Sequence, residues 1–144
     1  MIWPDTKPDA PFGIGDGAEP GWVDSDGGTA IDSTEVVRLA ADAAATVKPS
    51  YLAILDLRGL CTFTDHFLIV SAGSSRQVRA IAEKVEEQLA RVKVKMSHRE
   101  GVGEAQWILL DYHDVVVHIF ADQARAFYDL ERLWADAPKQ ELFG

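Results

Sequence analysis

A chain of 144 residues, 47% hydrophobic and 26% charged, has the composition of one soluble globular domain, long enough to bury a core without cross-links. A net charge of −9, from 14 basic against 23 acidic residues, argues against a protein that grips nucleic acid chiefly through its phosphates and permits a basic protein partner. Cys61 is the one cysteine, which excludes an intrachain disulfide or a cysteine-based zinc site and suggests a reduced, cytoplasmic setting. The longest apolar run, Tyr51 to Leu55, is far too short to span a bilayer, and the MIWPDTKP start lacks the pattern of a secretory signal, so no membrane role is expected.

Residues 1–30 differ in kind from the rest. They hold four prolines, six glycines and no apolar periodicity, and their single lysine faces six acids. This reads as an irregular extension. Trp3, Phe12 and Trp22 are unusual in a solvated tail. They point to a segment that docks on its own domain or a neighbour, or that serves as a functional arm. The domain proper is expected over residues 31–138, with 139–144 as a C-terminal tail.

A first helix is predicted from a cap at Ser33 or Thr34, with Glu35 favoured in its first turn and Val36, Leu39, Ala40, Ala43 and Val47 forming one stripe. Pro49 ends it. Tyr51 to Leu57 and Phe67 to Ser71 read as strands. Gly73-Ser74-Ser75 then caps a long helix whose buried face is Val78, Ile81, Ala82, Val85 and Leu89. The alternation VKVKMS over Val92 to Ser97 predicts a half-exposed strand, followed by a loop from Arg99 to Gly103.

The stretch Trp107 to Phe120, WILLDYHDVVVHIF, predicts a hairpin turning at Asp111-Tyr112-His113-Asp114. Its second run is β-branched and apolar on both alternating faces, as in a central, doubly covered strand. His113 suits a turn position with φ > 0. Beyond it, Asp122 is placed to cap a short helix through Phe127. A kink near Asp129 leads to Leu130, Leu133 and Trp134, and Pro138 is the stop. The order predicts an α/β fold, a mixed five-stranded sheet flanked by helices.

Four constellations could carry function. Gly73-Ser74 at a helix start could hold phosphate, as in nucleotidyltransferases, but no Asp-x-Asp accompanies it and the turn has no lysine. A plain helix cap is the commoner use. Asp65, His66, His98, His113 and His118 show neither i, i+4 pairing nor an HExxH pattern, so no metal site or catalytic group is assigned; a mid-strand His118 is usually a hydrogen-bonded core imidazole. Trp107 shares a strand face with Asp111 and is either a binding anchor or a core residue, and periodicity leaves both open. Phe127, Leu130 and Trp134 at helical spacing are more often packing than a binding box.

Six segments in order resemble the ribosomal silencing factor, or Iojap-like, family: Thr64-Asp65-His66-Phe67, Gly73 to Val78, Glu100-Gly101, Trp107 to Tyr112, Asp114 to His118, and Phe127 to Trp134. The match covers about 100 residues, Thr34 to Ala135. The resemblance implies a fold similar to the nucleotidyltransferase sheet and no enzymatic activity or cofactor. It implies binding to the large ribosomal subunit through ribosomal protein fourteen, obstruction of small-subunit joining, and repression of translation. No membrane or sequence-specific nucleic-acid partner is implied, and several members form homodimers. Carried over by position, the expected partner-binding residues are Glu100, Trp107, Ile108, Asp111, Asp114, His118, Tyr128 and Glu131. His113 stands where the family usually has glycine. The alternative is a nucleotidyltransferase-like enzyme using the Gly73-Ser74 turn.

Overall fold

A computed structural model of the chain describes residues 31–143; the expectations for residues 1–30 lie outside that range. Among the described residues, α1 (Ser33–Ala45), β1 (Tyr51–Asp56), β2 (His66–Ala72), α2 (Ser75–Arg91), β3 (His98–Glu100), β4 (Trp107–Asp111), β5 (Val115–Ala121), α3 (Asp122–Tyr128), α4 (Leu130–Leu133) and β6 (Lys139–Phe143) follow in order. The strands form one mixed sheet of order β3-β4-β5-β2-β1-β6. β2 and β5 pair in parallel at its centre, and the other neighbours are antiparallel. No helix among the described residues is long and apolar enough to cross a membrane.

The central strands are buried along their whole length, as the two-faced apolar run of β5 predicts. Val115, Val117 and Ile119 point to a core shared with α1 and α2, whereas Val116 and Phe120 point to a second core. That second core is closed by Leu57, Ala124, Leu130 and the partly buried Phe63, Tyr128 and Trp134. Two long helices therefore cover one face, and short C-terminal turns with a loop cover the other.

The sheet has six strands, not five, and the differences have local causes. The α1 cap is Asp32, one residue before the expected hydroxyls; its carboxylate accepts from the Glu35 amide at 3.0 Å. Ser33 turns inward instead and donates to Asp65 Oδ2 at 3.1 Å. Val92 to Ser97 is not a strand. Lys93 takes φ 63° while the Lys93 and Val94 amides donate to the Ala90 and Leu89 carbonyls, a Schellman stop. Val94 is buried beside the helices, with Val92 and Met96 packed nearby, so the alternation reflects packing beneath α2. The strand lies just beyond, in what was expected as loop. Lys139–Phe143, expected as a tail, pairs with β1. KQELF is short, mostly polar and follows a proline, so only tertiary pairing reveals it. Asp122 lies in the first turn of α3 and does not cap it, since Ala121 holds the cap position. The kink at Asp129 is present, with φ 50°.

Candidate partner-binding face

Trp107 begins β4 and lies opposite Phe120 at the far end of β5. Alternation aims it at the second core, beneath the C-terminal turns. Its ring is half-buried, 4.5 Å from Tyr128 and 5.1 Å from Phe120 between centroids. The core reading is thus realised only in part: the indole packs on the second core without being fully buried. Phe127 extends the cluster, edge-on to Tyr128 at 5.0 Å and 79% exposed. Leu133 on α4 is also exposed. Helical spacing favours packing for Phe127 over a binding role. Phe127 faces water because α3 is a single short helix with only Ala124 buried, a detail that periodicity over seven residues does not encode.

Indole Nε1 donates to His118 Nδ1 at 3.1 Å. That bond places the imidazole proton on Nε2. His118 is fully buried, 4.4 Å from the Phe67 ring, and burial pushes its pKa down to about 3. A ring that stays neutral and fixed sets the orientation of the indole from below.

Three residues expected at the binding face are interior, which corrects their assignment as contacts. His118 supports Trp107 and does not reach the surface. Ile108 points to the opposite face, into the core beneath α1 and α2. Asp111 is buried at the hairpin end; its Oδ1 accepts from the His113 amide at 2.8 Å, and burial pushes its pKa up. That bond helps His113 hold φ 72° at the tip, the left-handed geometry the sequence anticipated.

The other carboxylates do not ring the indole. Asp114 sits at the tip, half-buried, with its pKa raised by burial and by the charge of Asp65. About four residues of strand, or ~13 Å, separate that end of β4 from Trp107. Glu100 lies on β3 opposite Leu109 and meets His98 at 2.9 Å. Glu131 is partly buried and accepts from Arg125 at 3.0 Å, while the Arg125 guanidinium lies over the Tyr51 ring at 3.4 Å. Trp107 and Tyr128 come together as expected; the anionic rim does not form around them.

Gly101 governs how closely the preceding turn approaches. It has φ +86°, and a Cβ there would run into the Trp107 carbonyl. At the same end of the sheet, just after β2, Ser74 Oγ is engaged as the α2 cap, accepting from the Gln77 amide at 3.2 Å. The carboxylate facing the Gly73 position belongs to Asp122, which accepts from Ser50 at 3.1 Å.

The buried His118 makes stability depend on pH. Its folded pKa is depressed, so the unfolded chain binds the extra proton, and stability falls as pH drops below about 6.5. His66, also depressed by burial, acts in the same direction, while Asp111 and Asp114 act in the opposite one. Comparison with His118→Gln isolates the ring. Urea unfolding at pH 6.5 and pH 5 is expected to show the wild type losing about 2 kcal/mol more than the variant. Equal losses would remove the buried neutral imidazole from this account.

Residues 30–143 match the family model described as "Ribosomal silencing factor during starvation". The ribosomal silencing factor RsfS of Halalkalibacterium halodurans is 37% identical over 114 residues, 79% of this chain and 97% of that protein. The RsfS of Bacillus subtilis is 36% identical over 112 residues, covering 78% of this chain and 95% of its own. A crystal structure of a Chromobacterium violaceum protein superposes with a TM-score of 0.71 at 31% identity, over 73% of this chain and 88% of that one. By sequence and by fold, the chain belongs to the ribosomal silencing factor family.

Proposed function

We propose that the protein binds the large ribosomal subunit through ribosomal protein fourteen and keeps the small subunit from joining, so repressing translation. It acts in the cytoplasm, as a steric wedge, and breaks no covalent bond; self-association as a homodimer belongs to the same reading. Family membership supports the ribosomal role. The observation that carries the docking face is the aromatic ledge of Trp107, Tyr128 and Phe127, with Phe127 79% exposed. Exposed aromatic rings over a rigid sheet are the usual anchors of protein interfaces. The ledge is apolar, so the acidic residues contribute steering through net charge more than contact.

Co-sedimentation with purified large subunits tests this. Phe127→Glu changes a side chain with little burial and is expected to leave the melting temperature in place. It is expected to weaken binding by at least about tenfold, placing a charge where an interface would desolvate it. Equal binding by wild type and variant would exclude the ledge as the docking face.

A further inference from the structure

A cavity of about 250 Å³ lies between α1, the edge strand β6, the end of β1 and the start of β2. It is on the opposite face of the sheet from Trp107, and at the opposite end of β2 from the Gly73-Ser74 turn. Arg38, Arg58 and Lys139 line it against one carboxylate, Asp56. In a chain of net charge −9, this is a local reversal of sign.

The cations are differently held. Asp56 fixes Arg58 through two bonds, to Nε at 2.9 Å and Nη2 at 2.7 Å, which leaves Nη1 for another acceptor. Lys139 lies 3.3 Å from Glu141. Arg38 makes no ion pair among the described residues. His66, 3% exposed, also lines the cavity, and across the β1–β2 ladder it is paired with Asp56. Its Nδ1 is buried and has no hydrogen-bond partner among the described residues.

We propose that this cavity binds a small phosphate-bearing molecule, with Arg38, Arg58 and Lys139 taking its charge and the His66 ring forming part of its wall. With Arg58 paired to Asp56 and Lys139 to Glu141, the three cations keep one net positive charge and several N–H donors, a set suited to the oxygens of a phosphate. The volume lies just below the usual range for ligand pockets, about 300–1,000 Å³, and suits a phosphate on a short carbon skeleton packed against Ile54. A recessed imidazole and an acidic chain disfavour a nucleic-acid backbone.

The test follows the His66 ring signals of the full chain by NMR during titration with inorganic phosphate, glycerol 3-phosphate or a short single-stranded RNA. Saturable shifts with either small probe are the expected result, and the tighter of the two tells whether the site takes free phosphate or an ester. Arg38→Gln alters an exposed helix residue and should fold normally; it is expected to weaken the binding by at least about tenfold. Neither small probe shifting the ring, RNA alone shifting it, or equal affinity in wild type and Arg38→Gln would each overturn the proposal.

Discussion

Replacing Trp107 with alanine is expected to weaken binding to the large ribosomal subunit by about thirtyfold or more, the equivalent of ~2 kcal/mol for a central aromatic anchor. The change removes the ring that lies between Tyr128 and Phe120 and takes the donor away from His118 Nδ1. It also lowers stability. Because the indole is only half-buried, that loss should stay below the ~3–5 kcal/mol of a fully buried aromatic. Trp107→Phe separates the two effects. It retains a ring against Tyr128 but cannot donate to His118, so it should fold well and bind between wild type and alanine. Co-sedimentation paired with thermal melts reads both quantities. A folded Trp107→Ala that binds as wild type would remove the indole from the interface.

Gly101→Ala is expected to be among the most damaging single substitutions for folding, costing roughly 2–5 kcal/mol from a strained backbone and an unrelieved collision together. The collision is with a carbonyl of the main chain, which cannot rotate aside as a side chain would. Gly59 provides the control. It shares the conformation, at φ +87°, but has open space where a Cβ would lie. Gly59→Ala should therefore bear only the backbone strain, about 1 kcal/mol. Urea unfolding of the two variants measures the difference. Equal destabilisation would mean that the turn at Gly101 moves freely and does not set the position of β4. Since the obstructed carbonyl belongs to Trp107, any surviving Gly101→Ala should also bind the subunit poorly.

Much of the architecture was legible because burial writes itself into periodicity. The two-faced run of β5 announced a central strand, the apolar stripes of α1 and α2 announced a buried side on each helix, and His113 announced a left-handed turn. What escaped were features fixed by tertiary pairing. β6 carries few apolar residues and exists because β1 offers it an edge. The stretch after α2 alternates for packing beneath a helix, which sequence cannot tell from a strand. The site divided in the same way. Trp107 and Tyr128 came together, and His118 is the hydrogen-bonded core imidazole that its mid-strand place suggested; Asp111 turned inward unannounced, since one-dimensional spacing does not say whether a carboxylate at a strand end meets water or a hydrogen-bond donor. Phe127 reads in sequence as more often packing than binding, because an isolated helix turn gives no reliable face. The cationic cavity gave no signal, since Arg38, Arg58, His66 and Lys139 are scattered along the chain and meet only on folding.

The two margins of the sheet have a consequence for behaviour at high concentration. β3 spans three residues, and its side chains are tied into pairs, His98 with Glu100 and Arg99 with Glu86. β6 spans five residues and carries the Lys139–Glu141 pair. Brevity and charge deny an incoming chain the long, dry ladder on which β-sheet polymers grow. Crowded copies should therefore resist joining sheet edge to sheet edge.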